Sequence, residues 1–271
     1  MRRASSNGVV LFFSPAATRR IIASMVSLRP LIRSVAFCAA KPCHDRKAAA
    51  RSLEGYGAPA MGTQLLAQET LNTVAQLGAV LVVALAAWGL AGRKRGGFFR
   101  FVGLLGPGVA GWRAAAIATL VFVPASLGLI LVTDLREIAS ADNTVAGRFA
   151  EAGFSGDTLG AMLLVAVIKT AFAEEILFRG VIAKTLIRWF GFWPGAISHA
   201  ALFGAVHGLV FAAPSGPDPT LIGVAAIVGL PTVGALASVY INERIAGGSI
   251  LPGWLMHAIA NAIAYPALAY F

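Results

Sequence analysis

A bundle of membrane-spanning α-helices is the fold that this sequence predicts, and three observations predict it. Of its 271 residues, 58% are hydrophobic and only 13% are charged, with a mean hydropathy of +0.77. Several apolar stretches approach the ~20 residues that a helix needs to cross a bilayer. None of them alternates apolar and polar residues as barrel strands do. A soluble enzyme, a disordered chain and a disulfide-stapled secreted module are therefore excluded.

A basic leader, residues 1–60, precedes the apolar part. It holds ten of the 22 Lys and Arg residues but only two of the 12 acidic ones, and so carries +8 of the formal charge of +10. The remainder is nearly neutral, which removes the support for a nucleic-acid partner. The leader fits an organelle-type targeting peptide or an over-extended reading frame whose true start is Met61, and we favour the second. Either way we expect a disordered segment outside the fold.

Six apolar stretches follow Met61, and each predicts one membrane helix. They lie at roughly 73–92, 114–133, 158–182, 194–213, 220–241 and 249–271. The first two, with the loop after them, make an N-terminal region, 61–157. The other four make a second region, 158–271, which contains every candidate site residue.

The charges of the loops predict the orientation. Basic residues follow the first helix and the third, whereas the loop 134–157 has five acidic residues against two arginines. The positive-inside rule places the basic loops in the cytoplasm and the acidic loop outside. We therefore expect a multi-pass integral membrane protein surrounded by lipid, with the bacterial inner membrane as its location.

Polar side chains inside three of these helices are candidates for function, because one charge at the bilayer centre costs about 2.5–3.5 kcal/mol. The candidates are Glu174, Glu175 and Arg179 in the third helix, His207 in the fourth, and His257 and Asn261 in the sixth. Their positions along the predicted helices put them within about one turn, ~5.4 Å, of a common depth.

Helical spacing assigns provisional roles to these residues. Glu175 and Arg179 are four apart and can pair on one helix face. Glu174 is turned about 100° away from Glu175 and has no partner on its own helix, so it is a candidate base for water if a histidine or a metal helps to hold it. His207 is a candidate for that help. His257 and Asn261, also four apart, can donate hydrogen bonds to one oxyanion.

The order of these motifs resembles one protein family. Glu-Glu-x-x-x-Arg, then Phe-x-x-x-His, then His-x-x-x-Asn, each in an apolar helix, is similar to the CPBP family of intramembrane proteases. That family includes the type II CAAX prenyl endopeptidases and the Abi proteins, which process bacteriocins or confer immunity to them. The resemblance covers roughly residues 158–265, including the run Glu-Glu-Ile-Leu-Phe-Arg-Gly.

The resemblance implies an endopeptidase in which Glu174 and His207 activate water. Glu175 and Arg179 would support the site, and His257 with Asn261 would stabilise the oxyanion. Members are described both as metalloproteases and as metal-independent glutamate proteases. We expect a metalloprotease, with Glu174, His207 and His257 as ligands of a divalent ion such as zinc, while the metal-free option stays open. The implied substrate is a peptide or protein, either prenylated at a CAAX end or a bacterial one.

Other interpretations use the same residues. A non-catalytic immunity or scaffold protein would keep the motif helices for folding, and an ion pathway would use the carboxylates and histidines as a relay. A rhomboid-like serine protease would pair Ser155 with His257, but it leaves Glu174, Glu175 and His207 unexplained. We expect Ser155 to cap a helix instead.

Three further residues carry smaller expectations. His199 lies two turns before His207 and is expected to be a core residue, with a role in the site as the less favoured alternative. Gly204 and Gly208 form a Gly-x-x-x-Gly pattern that predicts close packing of a neighbouring helix. For Lys169, in the apolar run of the third helix, the sequence offers two positions: facing the cavity, or extending outward to the interface.

Overall fold

The computed structural model of the protein describes residues 61–131, 144–213 and 218–271. The leader 1–60 and the expectations about it lie outside the described residues. Within the described part every regular element is helical, which confirms the all-α class. The α-helices are α1 (Met61–Ala87), α2 (Phe98–Val102), α3 (Gly108–Leu131), α4 (Val145–Ala152), α5 (Gly156–Leu164), α6 (Lys184–Phe190), α7 (Phe192–His207), α8 (Leu221–Val224), α9 (Leu230–Tyr240) and α10 (Leu251–Tyr270).

Four helices in the described part are long and apolar enough to cross a membrane. They are Met61–Gly92, Gly108–Leu129, Phe192–Ala212 and Leu221–Ile245. The predicted stretches 158–182 and 249–271 also form helices. They contain the charged and polar candidates, and neither is among these four helices. The count of about six spanning helices therefore stays a prediction.

The first helix begins twelve residues earlier than the apolar stretch predicted, at Met61 rather than at residue 73. The added turns contain Glu69, which is fully buried. Its carboxylate pairs with Arg148 Nη1 at 2.9 Å and with Lys169 Nζ at 2.6 Å. Hydropathy placed the start of the helix after Glu69, because a carboxylate counts against burial. Here two cations offset the charge of Glu69, so the helix can include it. This contact also locates Lys169, whose side chain lies against α1.

The third predicted helix is a continuous helical run, residues 156–190, which we call the long helix. It contains two π-helical segments, Val165–Phe172 and Glu175–Ala183, between α5 and α6. A π-helix bonds i to i+5 and usually occurs as a single turn near a functional site. Hydropathy predicted an ordinary α-helix here, because an apolar run does not distinguish the two backbone patterns.

Two backbone carbonyls of the first π segment accept hydrogen bonds from neighbouring helices. Gln76 Nε2 in α1 donates to Lys169 O at 2.8 Å, and Trp254 Nε1 in α10 donates to Val167 O at 3.0 Å. The π segment is thereby attached to both helices just before the Glu-Glu pair.

Close packing of α7 against α9 confirms the expectation from Gly204 and Gly208. A Cβ on Gly204 would collide with Thr232 Oγ1 and lie 2.9 Å from Val228 O. A Cβ on Gly208 would lie 3.1 Å from Val228 Cγ2. Both glycines thus let the two helix backbones approach, which brings α7 over the site described next.

Candidate active site

A buried ion pair anchors the site on the long helix. Glu175 Oε1 lies 3.2 Å from Arg179 Nη1, with 0% and 5% of the two side chains exposed. The spacing of four residues predicted this pair, and the structure confirms it. Neither charge can be solvated by bulk water at this depth, so each depends on the other.

His257 of α10 lies between the two adjacent glutamates. Its Nδ1 is 3.4 Å from Glu175 Oε1, and its Nε2 is 3.9 Å from Glu174 Oε2. The side chain of Glu174 is 26% exposed, whereas that of Glu175 is fully buried. Neighbours in sequence therefore differ in access: Glu174 can meet water or substrate, and Glu175 cannot.

The ring of Phe203 connects the long helix, α7 and α10. The guanidinium carbon of Arg179 lies 4.1 Å from its centroid. The His207 ring is 4.6 Å away, and the His257 ring is edge-on at 6.3 Å. Phe203 thus stacks against a cation on one side and holds both motif histidines near one ring.

His207 is held by its own helix. Its Nδ1 is 2.8 Å from Phe203 O, one turn earlier. A carbonyl oxygen only accepts, so Nδ1 carries the proton and Nε2 is left as an acceptor. The sequence analysis expected His207 to help Glu174 hold the water. In the structure the histidine beside both glutamates is His257 and not His207.

Polar atoms without partners are concentrated at this site. Among the described residues, the following are buried and lack a hydrogen bond: Glu174 Oε2, both carboxylate oxygens of Glu175, Arg179 Nε and Nη1, His257 Nδ1, Asn261 Nδ2, and Nδ1 and Nε2 of His199. Buried polar groups in native proteins are nearly always satisfied, so a cluster of exceptions calls for an explanation such as a bound substrate or water.

The three expected metal ligands do not form a coordination group. In 61–131, 144–213 and 218–271, no set of three His, Cys, Asp or Glu side chains is placed to hold a metal ion. A catalytic zinc site needs three protein ligands and an open position. Glu174, His207 and His257 in this arrangement do not fit that requirement.

A comparison with known families covers the same part of the chain. Residues 157–263 match the model of a family described as type II CAAX prenyl endopeptidase Rce1-like. This segment is therefore similar to the Rce1-like family. The match confirms the resemblance to the CPBP proteases and contains all six candidate residues. No curated protein and no solved structure matches the chain.

The match of this segment to the Rce1-like family, together with the four long apolar helices, indicates an integral membrane protein and, at a general level, a membrane endopeptidase. The family match supports endopeptidase activity only at this general level. The roles of individual residues, the cofactor and the substrate follow from the geometry as proposals.

Supporting residues that the sequence analysis missed lie where α10 meets the helix Leu221–Ile245. Gly253 N donates to Asn242 Oδ1 at 3.0 Å. A Cβ on Gly253 would lie 2.8 Å from Glu175 Oε2 and would collide with Ser238 Oγ. Asn242 and Ser238 are both buried. The sequence did show an asparagine and a serine four residues apart in an apolar helix, which indicates a shared polar face. Hydropathy alone could not predict that this face contacts α10.

Ser155 and His199 have structural positions in this segment. Ser155 Oγ accepts a hydrogen bond from Thr158 N at 3.1 Å, which is the predicted cap of α5. This bond engages the hydroxyl that would be the nucleophile of a rhomboid-like protease. His199 is fully buried and stacks on Phe203 at 6.2 Å, with Phe178 edge-on at 6.3 Å. Its position matches the expectation of a core residue.

Proposed function

We propose that the site hydrolyses a peptide bond at the membrane and that Glu174 activates the attacking water. The contrast between the two glutamates supports this assignment. Glu175 is buried and paired with Arg179, whereas Glu174 is partly exposed, and the contact given for it in the described part of the chain is His257 at 3.9 Å. A base must reach the proton that it removes, and only Glu174 meets that condition.

The gap of 3.9 Å between Glu174 Oε2 and His257 Nε2 supports a position for the water between these two atoms. This distance is too long for a hydrogen bond and suits a water bonded to both atoms. The water oxygen attacks the scissile carbonyl carbon while its proton passes to Glu174. When the C–N bond breaks, Glu174 returns the proton to the leaving amine, and the products are an acid and an amine.

His257 and Asn261 supply the donors for the oxyanion. They are one turn apart on α10, and Asn261 Nδ2 is buried without a hydrogen bond within the described part. An amide N–H that awaits an acceptor is suited to charge that develops only in the transition state. His257 donates when Nε2 carries a proton.

Glu175 and Arg179 act as positioning residues. Glu175 faces Nδ1 of His257 and thereby orients the imidazole, and Arg179 balances its charge. His207 contributes Nε2, which is free to accept a hydrogen bond from the attacking water or the leaving amine because Nδ1 is already bonded. No step passes through a metal, since the three expected ligands do not form a coordination group.

The proposed substrate is a CAAX-type prenylated peptide, the chemistry that the description of the matching family names. The alternative is a bacterial peptide or membrane protein, and the bacterial inner membrane is the proposed location.

The test is cleavage of a farnesylated CAAX peptide by the purified protein in lipid nanodiscs. Glu174→Ala and His207→Ala are expected to abolish cleavage while the amount of folded protein stays normal. Glu151→Ala removes an exposed carboxylate of α4 and serves as the matched control. Wild-type rates in both site variants would refute the proposal and favour a non-catalytic role. If only unprenylated membrane peptides are cleaved, the proposed hydrolysis stands and the proposed prenylated substrate is wrong.

A further inference from the structure

Two buried polar side chains lie beside the site, where α10 meets the helix Leu221–Ile245. They are Ser238 and Asn242, four residues apart on that helix. Neither has a role in the proposed mechanism. Buried polar groups in native proteins are nearly always hydrogen-bonded, so each donor and acceptor here needs a partner.

The amide of Asn242 has a fixed orientation. Gly253 N lies 3.0 Å from Asn242 Oδ1, and a backbone N–H only donates, so the amide oxygen faces α10. The amide nitrogen therefore faces Ser238, and it donates a long hydrogen bond of 3.5 Å to Ser238 Oγ. Because an NH₂ group does not accept hydrogen bonds, the hydroxyl proton of Ser238 points to some other atom.

The usual acceptor for a hydroxyl in a helix is not used by Ser238. A serine or threonine in a helix often donates to the backbone carbonyl four residues earlier. Five hydroxyls in the long apolar helices do so, at 2.6–2.8 Å: Thr70, Thr73, Thr119, Ser126 and Thr232. Within the described residues 218–271, Ser238 makes no bond of this kind. Its proton is therefore available to an acceptor on another helix.

A carboxylate oxygen of the long helix lies beside this hydroxyl. A Cβ added to Gly253 would collide with Ser238 Oγ and would lie 2.8 Å from Glu175 Oε2. The two oxygens thus approach the same point beside the Cα of Gly253. Glu175 Oε2 is buried and has no hydrogen bond among the described residues. The gap between the oxygens is small enough for a change of side-chain rotamer to close it.

The other carboxylate oxygen connects Glu175 to the histidine of the proposed site. Glu175 Oε1 lies 3.4 Å from His257 Nδ1, and His257 follows Gly253 by one turn of α10. The two oxygens belong to one planar group, so a donor on Oε2 also fixes the direction of Oε1. Without that donor the carboxylate can rotate, and the imidazole loses the partner that orients it.

We propose that Ser238 is a positioning residue of the site: its hydroxyl donates to Glu175 Oε2 and thereby fixes the carboxylate that orients His257. The hydrogen bonds then run in one direction, from the backbone of α10 through Asn242 and Ser238 to Glu175. Each group donates to the next, which strengthens the bond to the charged group at the end. The catalytic part of the proposal rests on the proposed function, whereas the contact does not.

The first measurement is the kinetics of cleavage of the farnesylated CAAX peptide in lipid nanodiscs. Ser238→Ala should lower kcat about tenfold, the lower end of what a hydrogen bond to a carboxylate contributes. KM should stay at the wild-type value, because Ser238 is buried away from the substrate. Ser238→Cys retains a weak donor and should lose less than Ser238→Ala, and it gives the result if Ser238→Ala folds poorly. Ser126→Ala is the matched control, since it removes a hydroxyl that is bonded within its own helix, to Phe122 O.

The second measurement observes His257 directly and needs no substrate. The chain has four histidines, so ¹⁵N labelling of the imidazoles gives few signals, and His257→Ala identifies those of His257. In the detergent-purified full chain, Ser238→Ala should change the ¹⁵N signals of His257 and leave those of His207 as in the wild type. Ser126→Ala should change neither.

Three results would overturn the proposal. They are wild-type signals of His257 in Ser238→Ala, equal losses of kcat in Ser238→Ala and Ser126→Ala, and a general change in the signals of all histidines, which would assign Ser238 to packing alone. Glu174→Ala separates this proposal from the proposed function. If His257 responds to Ser238→Ala but Glu174→Ala cleaves like the wild type, the contact stands and the proposed function is wrong.

Discussion

Glu69 and Glu175 are both fully buried carboxylates in apolar helices, yet their surroundings differ. Glu69 accepts hydrogen bonds from Arg148 and Lys169. Glu175 has an ion pair with Arg179 and a nearby histidine, but no hydrogen bond to either oxygen among the described residues. A satisfied charge stabilises the packing of helices, whereas an unsatisfied cluster is arranged for something else to bind. This contrast distinguishes a structural charge from a functional one within a single bundle.

The largest expected effect on stability comes from removing the satisfied carboxylate. Glu69→Ala leaves the half-buried Lys169 without this carboxylate and should cost about 3 kcal/mol of unfolding free energy. Thermal unfolding in detergent measures the loss. Glu151→Ala, at an exposed position, should unfold like the wild type. A Glu69→Ala protein as stable as the wild type would show that the Glu69 ion pairs do not stabilise the packing of the helices.

Two asparagines extend the comparison to neutral groups. Asn261 Nδ2 has no hydrogen bond in the described part of the chain. Asn261→Ala should lower kcat about 10²–10³-fold, the loss typical of one oxyanion donor, with little change in Tm. Asn242 is bonded to Gly253 N. Asn242→Ala should instead lower stability by about 1–3 kcal/mol, because it leaves a buried N–H unsatisfied. The reverse pattern in cleavage and melting assays would show that the two amides have been assigned wrongly.

A smaller effect is expected where α10 approaches the long helix. Gly253→Ala would place a Cβ 2.8 Å from Glu175 Oε2 and 2.7 Å from Asn242 Nδ2. Overpacking of this kind costs about 1–3 kcal/mol and should also slow cleavage by displacing His257. Gly234→Ala, where no atom lies within 4 Å of the added Cβ, is the matched control. Equal cleavage rates for the two variants would argue against a positioning role for this contact.

The smallest expected effect is that of a chelator. Because Glu174, His207 and His257 do not form a three-ligand set in the described part of the chain, cleavage should persist after treatment with EDTA. If EDTA abolishes the activity and added zinc restores it, the protein is a metalloprotease. Glu174, His207 and His257 would then have to move together to bind the metal.

The sequence predicted those features that depend on local spacing. The Glu175–Arg179 pair, the cap at Ser155 and the close approach at Gly204 and Gly208 each follow from residues within one or two turns. The helical class follows from hydropathy, which is a property of the chain itself.

Features that depend on contacts between distant helices were not predicted. Glu69 was missed because hydropathy scores a carboxylate without knowing that Lys169, a hundred residues later, neutralises it. The position of His257 between both glutamates depends on the approach of α10 at Gly253. The π-helical backbone changes which side chains share a face, and residue type alone does not reveal it.

The most direct test of the account compares Glu174→Gln with Glu69→Gln in two assays on the same preparations, cleavage rate and unfolding temperature. Glu174→Gln should lose about 10²–10⁴-fold in cleavage, the contribution of a positioned general base, with its unfolding temperature unchanged. Glu69→Gln should lower the unfolding temperature while the folded fraction cleaves at the wild-type rate. Wild-type cleavage by Glu174→Gln, or a loss of cleavage explained entirely by unfolding, would contradict the account.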